Sequence, residues 1–272
     1  MTTWRSSDEP MFPPLTGMQW VRVATRGSLL AVVIFGCLGL LLLVRLVERP
    51  LFGLRRPATP YITRFVCRNA LRIIGLKLKT QGRAMKHDGA VVANHSSWLD
   101  IFALNAKDRV YFVSKSEVAK WPGIGWLARA TGTVFISRTS RDAVNQKMVF
   151  ENRLNAGHRL VFFPEGTSTD GKRVLPFKPT LFAAFFADNL RESLAIQPVS
   201  VQYQAPADQD PRFYGWWGDM DFGPHLMTIL AARNQGTVTV HYHPHLNVPD
   251  FADRKALAKA SETAVRAGMA PE

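Results

Sequence analysis

The chain has 272 residues, 47% of them apolar, enough for one medium-sized domain with an appendage and too hydrophobic for an extended disordered protein. Lys and Arg outnumber Asp and Glu by 34 to 21, and the resulting +13 points to an anionic partner: nucleic acid, anionic lipid or an acidic protein. Only two cysteines occur, Cys37 and Cys67, the first inside an apolar run, which excludes a disulfide framework and fits a cytosolic core domain.

Residues 1–26 read as a flexible head in which Pro10, Pro13 and Pro14 oppose helix. Gly27 to Val44 contains no charged residue, and these eighteen positions reach about 27 Å as a helix, close to a hydrocarbon core of roughly 30 Å. A membrane-inserted helix is expected over 27–47. This run selects a bilayer over nucleic acid among the anionic partners. The absence of a small-residue cleavage pattern, and Arg45, Arg49, Arg55 and Arg56 behind the run, argue against a cleaved signal. The same arginines place the downstream chain on the cytoplasmic side of the cell inner membrane. Two glycines interrupt the run, so a helix lying shallowly in one leaflet also fits.

Residues 57–76 are expected to form an amphipathic interfacial helix, with Ile62, Phe65, Val66, Ala70 and Ile73 on one side and Arg64, Arg68 and Arg72 on another. A core-packed helix with solvated arginines fits the segment equally; its place beside the apolar run favours the lipid surface. Strands are then expected at 89–94, 109–114, 132–137, 159–163, 195–203 and 237–243. Helices are expected at 140–155, starting near Thr139 or Ser140, and at 252–267. Strands separated by helices define an α/β sheet.

Asn94-His95-Ser96-Ser97-Trp98-Leu99-Asp100 directly follows the first of these strands, where α/β proteins commonly place reactive groups. Ser97 is expected to cap the next helix. Five residues of regular helix turn by about 140°, which separates His95 from Asp100. They meet only if His95 lies in the loop and Asp100 in the first helical turn. The carboxylate then holds one ring nitrogen and leaves the other to take a hydroxyl proton. A second cluster, Phe163-Pro164-Glu165-Gly166-Thr167-Ser168, also ends an apolar strand, and Gly166 allows a tight turn. Alone, each cluster is more often structural.

Together and in order, the two clusters resemble the glycerolphosphate acyltransferase family. The stretch from Lys115 and Glu117 through Trp121-Pro122-Gly123 to Gly132-Thr133-Val134-Phe135-Ile136-Ser137-Arg138 is similar to that family's second block, and Ile196-Gln197-Pro198-Val199-Ser200 to its fourth. The resemblance covers about 80–203 and implies an acyltransferase domain over 77–272, of α/β class, with a mixed β-sheet flanked by helices. It implies His95 as general base and Asp100 as its orienting carboxylate. Arg138, Glu165, Gly166 and Thr167 would bind substrate. The implied reaction is direct transfer of a fatty acyl group from an acyl carrier protein or CoA thioester to a lysolipid hydroxyl. It implies no cofactor, no metal and no covalent acyl-enzyme; the partners are the lipid bilayer, the lysolipid acceptor and the thioester donor.

The family's third block usually continues with an arginine suited to a phosphate, and here Ser168 stands in its place. Tyr214-Gly215-Trp216-Trp217-Gly218-Asp219-Met220-Asp221-Phe222 with Pro224-His225-Leu226 resembles the lyso-ornithine lipid acyltransferase branch, whose acceptor carries an amine and no phosphate. Asp219 and Asp221 are candidate partners for that amine. The alternative acceptor is 1-acylglycerol 3-phosphate, with Arg138, Lys172 or Lys178 as its cations. The alternative of another class, a non-catalytic membrane-tethered basic binding protein, explains anchor and charge but not polar clusters at two strand ends. Gly166 to Lys172 imitates a nucleotide phosphate loop, but Arg173 replaces the magnesium-binding hydroxyl and Pro176 interrupts the required helix. His241, His243 and His245 alternate as metal ligands would; Pro244 disturbs that strand, and packed or solvated histidines are expected. Phe182, Phe185 and Phe186 are expected in the core.

Overall fold

The computed structural model describes residues 3–6, 10, 12–87, 89–136 and 143–269. Helix α1 (Gly17–Phe52) begins at Gly17 rather than residue 27 and runs past 47 to Phe52, so residues 17–26 belong to the helix and not to the head. The Gln19 side chain accepts from the Thr16 N–H at 2.7 Å and holds the first turn. The charges that seemed to end the apolar run are absorbed by neighbouring helix ends. Arg22 and Arg26 donate to the carbonyls of Leu230, Ala231 and Ala232. At the other end, Glu48 accepts from the N–H groups of Ala58 and Thr59 and from the Thr59 hydroxyl. Cations thus meet a helix C-terminus and a carboxylate meets a helix N-terminus.

Helix α2 (Thr59–Ile74) buries Cys67, Ala70, Leu71 and Ile74, spaced by three and four, and leaves Tyr61 and Phe65 exposed. The buried face is rotated from the one read in the sequence, because Arg64 and Arg68 turn to the Ala106 carbonyl. One face of the helix thus packs into the core, with Arg64 and Arg68 bonded rather than solvated, while Tyr61 and Phe65 remain on the outside. In chain order follow β1 (Lys77–Gln81), β2 (Gly89–Ala93), α3 (Asp100–Lys107), β3 (Val110–Lys115), α4 (Ile124–Thr131), β4 (Val134–Ile136), α5 (Ala143–Asn155), β5 (Arg159–Phe162), α6 (Asp188–Arg191), β6 (Ala195–Gln204), α7 (Phe222–Ala231), β7 (Thr237–Tyr242), β8 (Leu246–Asn247) and α8 (Arg254–Ala267). All six expected strands are present. The expected cap of α5, Thr139 or Ser140, lies outside the described residues.

The strands form one mixed sheet in the order β1-β7-β6-β2-β5-β3-β4, with β8 beside β6. β6, β2, β5, β3 and β4 run parallel, whereas β7 and β8 are antiparallel to β6. Alternation along β2 sends Val91 and Ala93 to one core with α2, α3 and α7, and Ala90 and Val92 to the other with α5 and α8. Phe182 and Phe185 are fully buried in that second core. After β2 the chain leaves to one face, into α3. After its neighbour β5 it leaves to the other, into the 3-10 turns of Pro179–Phe186. A crevice opens between such strand ends.

Candidate active site

His95 lies in the loop after β2, and Asp100 is the first residue of α3. Their contact, His95 Nδ1 to Asp100 Oδ2, is 2.7 Å. Asp100 is fully buried, and the same oxygen accepts from the N–H groups of Ser96 at 2.9 Å and Ser97 at 3.1 Å. Its other oxygen accepts from the Tyr203 hydroxyl at 2.8 Å. The loop wraps around the carboxylate, and this lets residues five apart meet. The Phe163 ring stacks on His95 at 4.1 Å and 11° and fixes the imidazole plane. With Nδ1 turned to Asp100, Nε2 is the nitrogen left for a substrate, on a side chain 22% exposed. Ser97, expected as the cap, is not the N-cap of α3: that residue is Leu99, which has no side-chain cap, and the Ser97 hydroxyl accepts from the Leu99 N–H at 3.3 Å in the turn before the helix.

Asn94 fastens the loop to β6, accepting from the Val201 N–H and donating to the Val201 carbonyl. Glu165, expected to bind substrate, is instead 1% exposed and turned inward. Its two oxygens accept from the N–H groups of His95 at 2.6 Å and Leu175 at 2.7 Å. It ties the two loops together rather than facing an acceptor. Burial pushes its carboxyl up to about 8, against the pull of those two N–H groups. Gly166 takes φ +74°, closing a turn in which its N–H donates to the Phe163 carbonyl. Thr167 is half-buried and accepts from the Trp4 N–H at 3.3 Å. The Thr169 N–H donates to the His95 carbonyl. Arg138 lies outside the described residues.

The Trp-rich segment packs on the same loop: the Trp216 N–H donates to the Ser96 carbonyl at 2.8 Å. His225, 1% exposed, joins this segment to the loop. Its Nδ1 accepts from the Trp98 indole N–H at 2.9 Å, and Nε2 faces the Phe213 carbonyl at 3.3 Å. Burial drops its pKa to about 4, so it stays a neutral structural link. Asp219 is exposed and paired with Arg5 at 2.7 Å; Asp221 is exposed beside the first turn of α7.

The phosphate-loop imitation has no helix over 166–178, and Arg173 is engaged by Asp170. His243 bonds Ser200 at 2.8 Å, and among the described residues no cluster of His, Cys, Asp and Glu is placed to hold a metal. Sequence reasoning missed Tyr203. Its only signal is period: it continues the Val199, Val201 row that faces α3.

A model of the acyltransferase family matches residues 75–202. The chain is 56% identical over 266 residues to the lyso-ornithine lipid O-acyltransferase of Rhodobacter capsulatus, covering 98% of this chain and 96% of that protein. It is 39% identical to the lyso-ornithine lipid O-acyltransferase of Brucella abortus, over 75% of this chain and 79% of that one. Its fold is that of the 1-acyl-sn-glycerophosphate acyltransferase of Thermotoga maritima, with a TM-score of 0.62, 20% identity and 92% of both chains covered.

Proposed function

The chain belongs to the acyltransferase family, and from that premise we propose that it moves a fatty acyl group from an acyl thioester to the hydroxyl of lyso-ornithine lipid. The observation that carries the acceptor is 56% identity along nearly the whole chain to a lyso-ornithine lipid O-acyltransferase. Ser168, in place of the arginine that would meet a phosphate, supports it.

His95 Nε2 takes the acceptor's hydroxyl proton, and the oxygen attacks the thioester carbonyl. The tetrahedral oxyanion collapses, the carbon–sulfur bond breaks, and the leaving thiolate recovers the proton from the imidazolium. Asp100 stabilises that imidazolium and fixes its tautomer through the 2.7 Å contact. Glu165 and Tyr203 act as positioning residues, the first on the His95 peptide and the second on Asp100. An assay crossing lyso-ornithine lipid and lysophosphatidic acid with carrier-protein and CoA donors tests the reading. Transfer to lyso-ornithine lipid is expected; strong activity on lysophosphatidic acid alone would defeat it.

Helix α1 is long and apolar enough to cross a bilayer, and Val32, Leu43, Leu46, Val47 and Leu51 point outward. Its docking supports a different placement. Arg26 meets the end of α7 and Glu48 the start of α2. These points are about 33 Å apart along a helix, roughly one hydrocarbon thickness. Both contacts belong to one domain, which cannot stand on two sides of a membrane. The helix therefore lies in one leaflet of the inner membrane, with the catalytic domain on the cytoplasmic side where thioester donors are found. Single cysteines at Gly17 and Phe52, in a background with Cys37 and Cys67 replaced by Ser, are expected to react with an impermeant maleimide from the same side. Reaction from opposite sides would establish a crossing helix.

A further inference from the structure

Residues 3–6 form a strap across the site. The Trp4 N–H donates to Thr167 Oγ1, and the Trp4 ring lies between Trp217, at 6.1 Å, and the Arg173 guanidinium, at 5.1 Å. The next residue, Arg5, reaches Asp219 at 2.7 Å. These two attachments stand on the two walls that hold the His95 and Ser96 carbonyls. Thr167 precedes Thr169, whose N–H bonds the His95 carbonyl, and Asp219 follows Trp216, whose N–H bonds the Ser96 carbonyl.

The Arg5 and Asp219 side chains are 65% and 67% exposed, so their pairing adds little to the fold. They nonetheless set one cation and one anion side by side at the strap. On the same two walls Asp170 is paired with Arg173, and Asp210 with Arg212. Resting on the acceptor reading above, we propose that Arg5 and Asp219 read the acceptor headgroup. An ornithine acylated on one amine keeps a carboxylate and an ammonium, and such a zwitterion exchanges one protein ion pair for two, Arg5 with its carboxylate and Asp219 with its ammonium. A phosphate headgroup has no use for Asp219 and is repelled by it.

Acyl-transfer kinetics of the full-length protein in vesicles test this. Asp219→Asn and Arg5→Gln are each expected to raise KM for lyso-ornithine lipid about tenfold with kcat kept, as for a lost hydrogen bond to a charged group. Asp219→Asn leaves KM for lysophosphatidic acid unchanged or lower. The charge-swapped pair, Arg5→Asp with Asp219→Arg, re-forms the strap contact with reversed polarity and is expected to keep the high KM. Full recovery of KM in that double variant would show that the pair only fastens the strap and would overturn the proposal. So would unchanged KM in both single variants, or an equal fall in kcat for both acceptors. A wild-type protein inactive on lyso-ornithine lipid would instead remove the acceptor reading itself, and this one with it.

Discussion

Replacing Glu165 by Gln preserves the shape of a buried side chain and changes one atom from acceptor to donor. Both carboxyl oxygens accept backbone N–H groups, from His95 at 2.6 Å and Leu175 at 2.7 Å, in a site closed to water. A carboxyl group keeps two acceptors whether ionised or protonated; an amide keeps one. One peptide N–H is then left facing an NH2 group, at a cost of about 1–3 kcal/mol. For a chain of this size that lowers the melting temperature by on the order of 5 °C. If the N–H of His95 is the one released, the imidazole drifts and kcat falls by about tenfold. The substitution also has a pH signature. Burial raises the carboxyl from 4.5 to about 8, so the native protein holds a proton there that the unfolded chain has released. This contribution to stability is full below the unfolded value and is lost as pH rises through that window, at up to about 1.4 kcal/mol per pH unit. The amide of the variant cannot titrate. Thermal melts of both proteins at pH 5, 6, 7 and 8 are therefore expected to show the largest gap at pH 5 and a narrowing gap towards pH 8. A variant melting within about 1 °C of wild type at every pH, with unchanged turnover, would refute the tie between the two loops.

Tyr203→Phe deletes the hydroxyl that bonds Asp100 Oδ1 at 2.8 Å and is expected to cost about 1.5–3 kcal/mol of stability together with a fall in kcat. Melting curves and initial rates check it, and unaltered turnover would exclude a positioning role. Gly215→Ala sets a Cβ 2.8 Å from the Asp170 carbonyl and from the Trp217 ring. The backbone must move and draw the Trp216 N–H from Ser96, so activity and melting temperature are both expected to drop. Gly17→Ala, with nothing within 4 Å, is the control expected to keep both.

The parts of the fold written in period and punctuation were legible. Apolar runs ending in turn residues marked β2, β5 and β6, and Gly157 marked the end of α5. Less legible were elements whose stability comes from tertiary partners. Strand β1, Lys77–Gln81, is an edge with exposed lysines and forms only by pairing with β7. Helix α7 opens with Gly223 and Pro224, a pair that reads as a loop; Pro is tolerated there because it falls in the first turn. The start of α1 was missed because Arg22 and Arg26 look like the limit of an apolar span, and nothing in their own sequence shows the carbonyls that receive them. At the site, residue type and spacing alone were a weak signal for His95 and Asp100, which the ordered blocks of the family resemblance singled out; the two meet through the loop-to-helix geometry that this spacing requires. Glu165 was readable as important and misread in direction, since residue type does not tell an inward carboxylate from an outward one.

The decisive measurement is the initial rate of acyl transfer to lyso-ornithine lipid by the His95→Ala protein, with membrane binding and thermal melting recorded on the same sample. Loss of the base that takes the hydroxyl proton is expected to lower kcat by about 10²–10⁴ while the protein stays folded and bound to vesicles. Turnover close to wild type in a folded, vesicle-bound sample would contradict the account, because no proton transfer through this imidazole would then be part of the reaction.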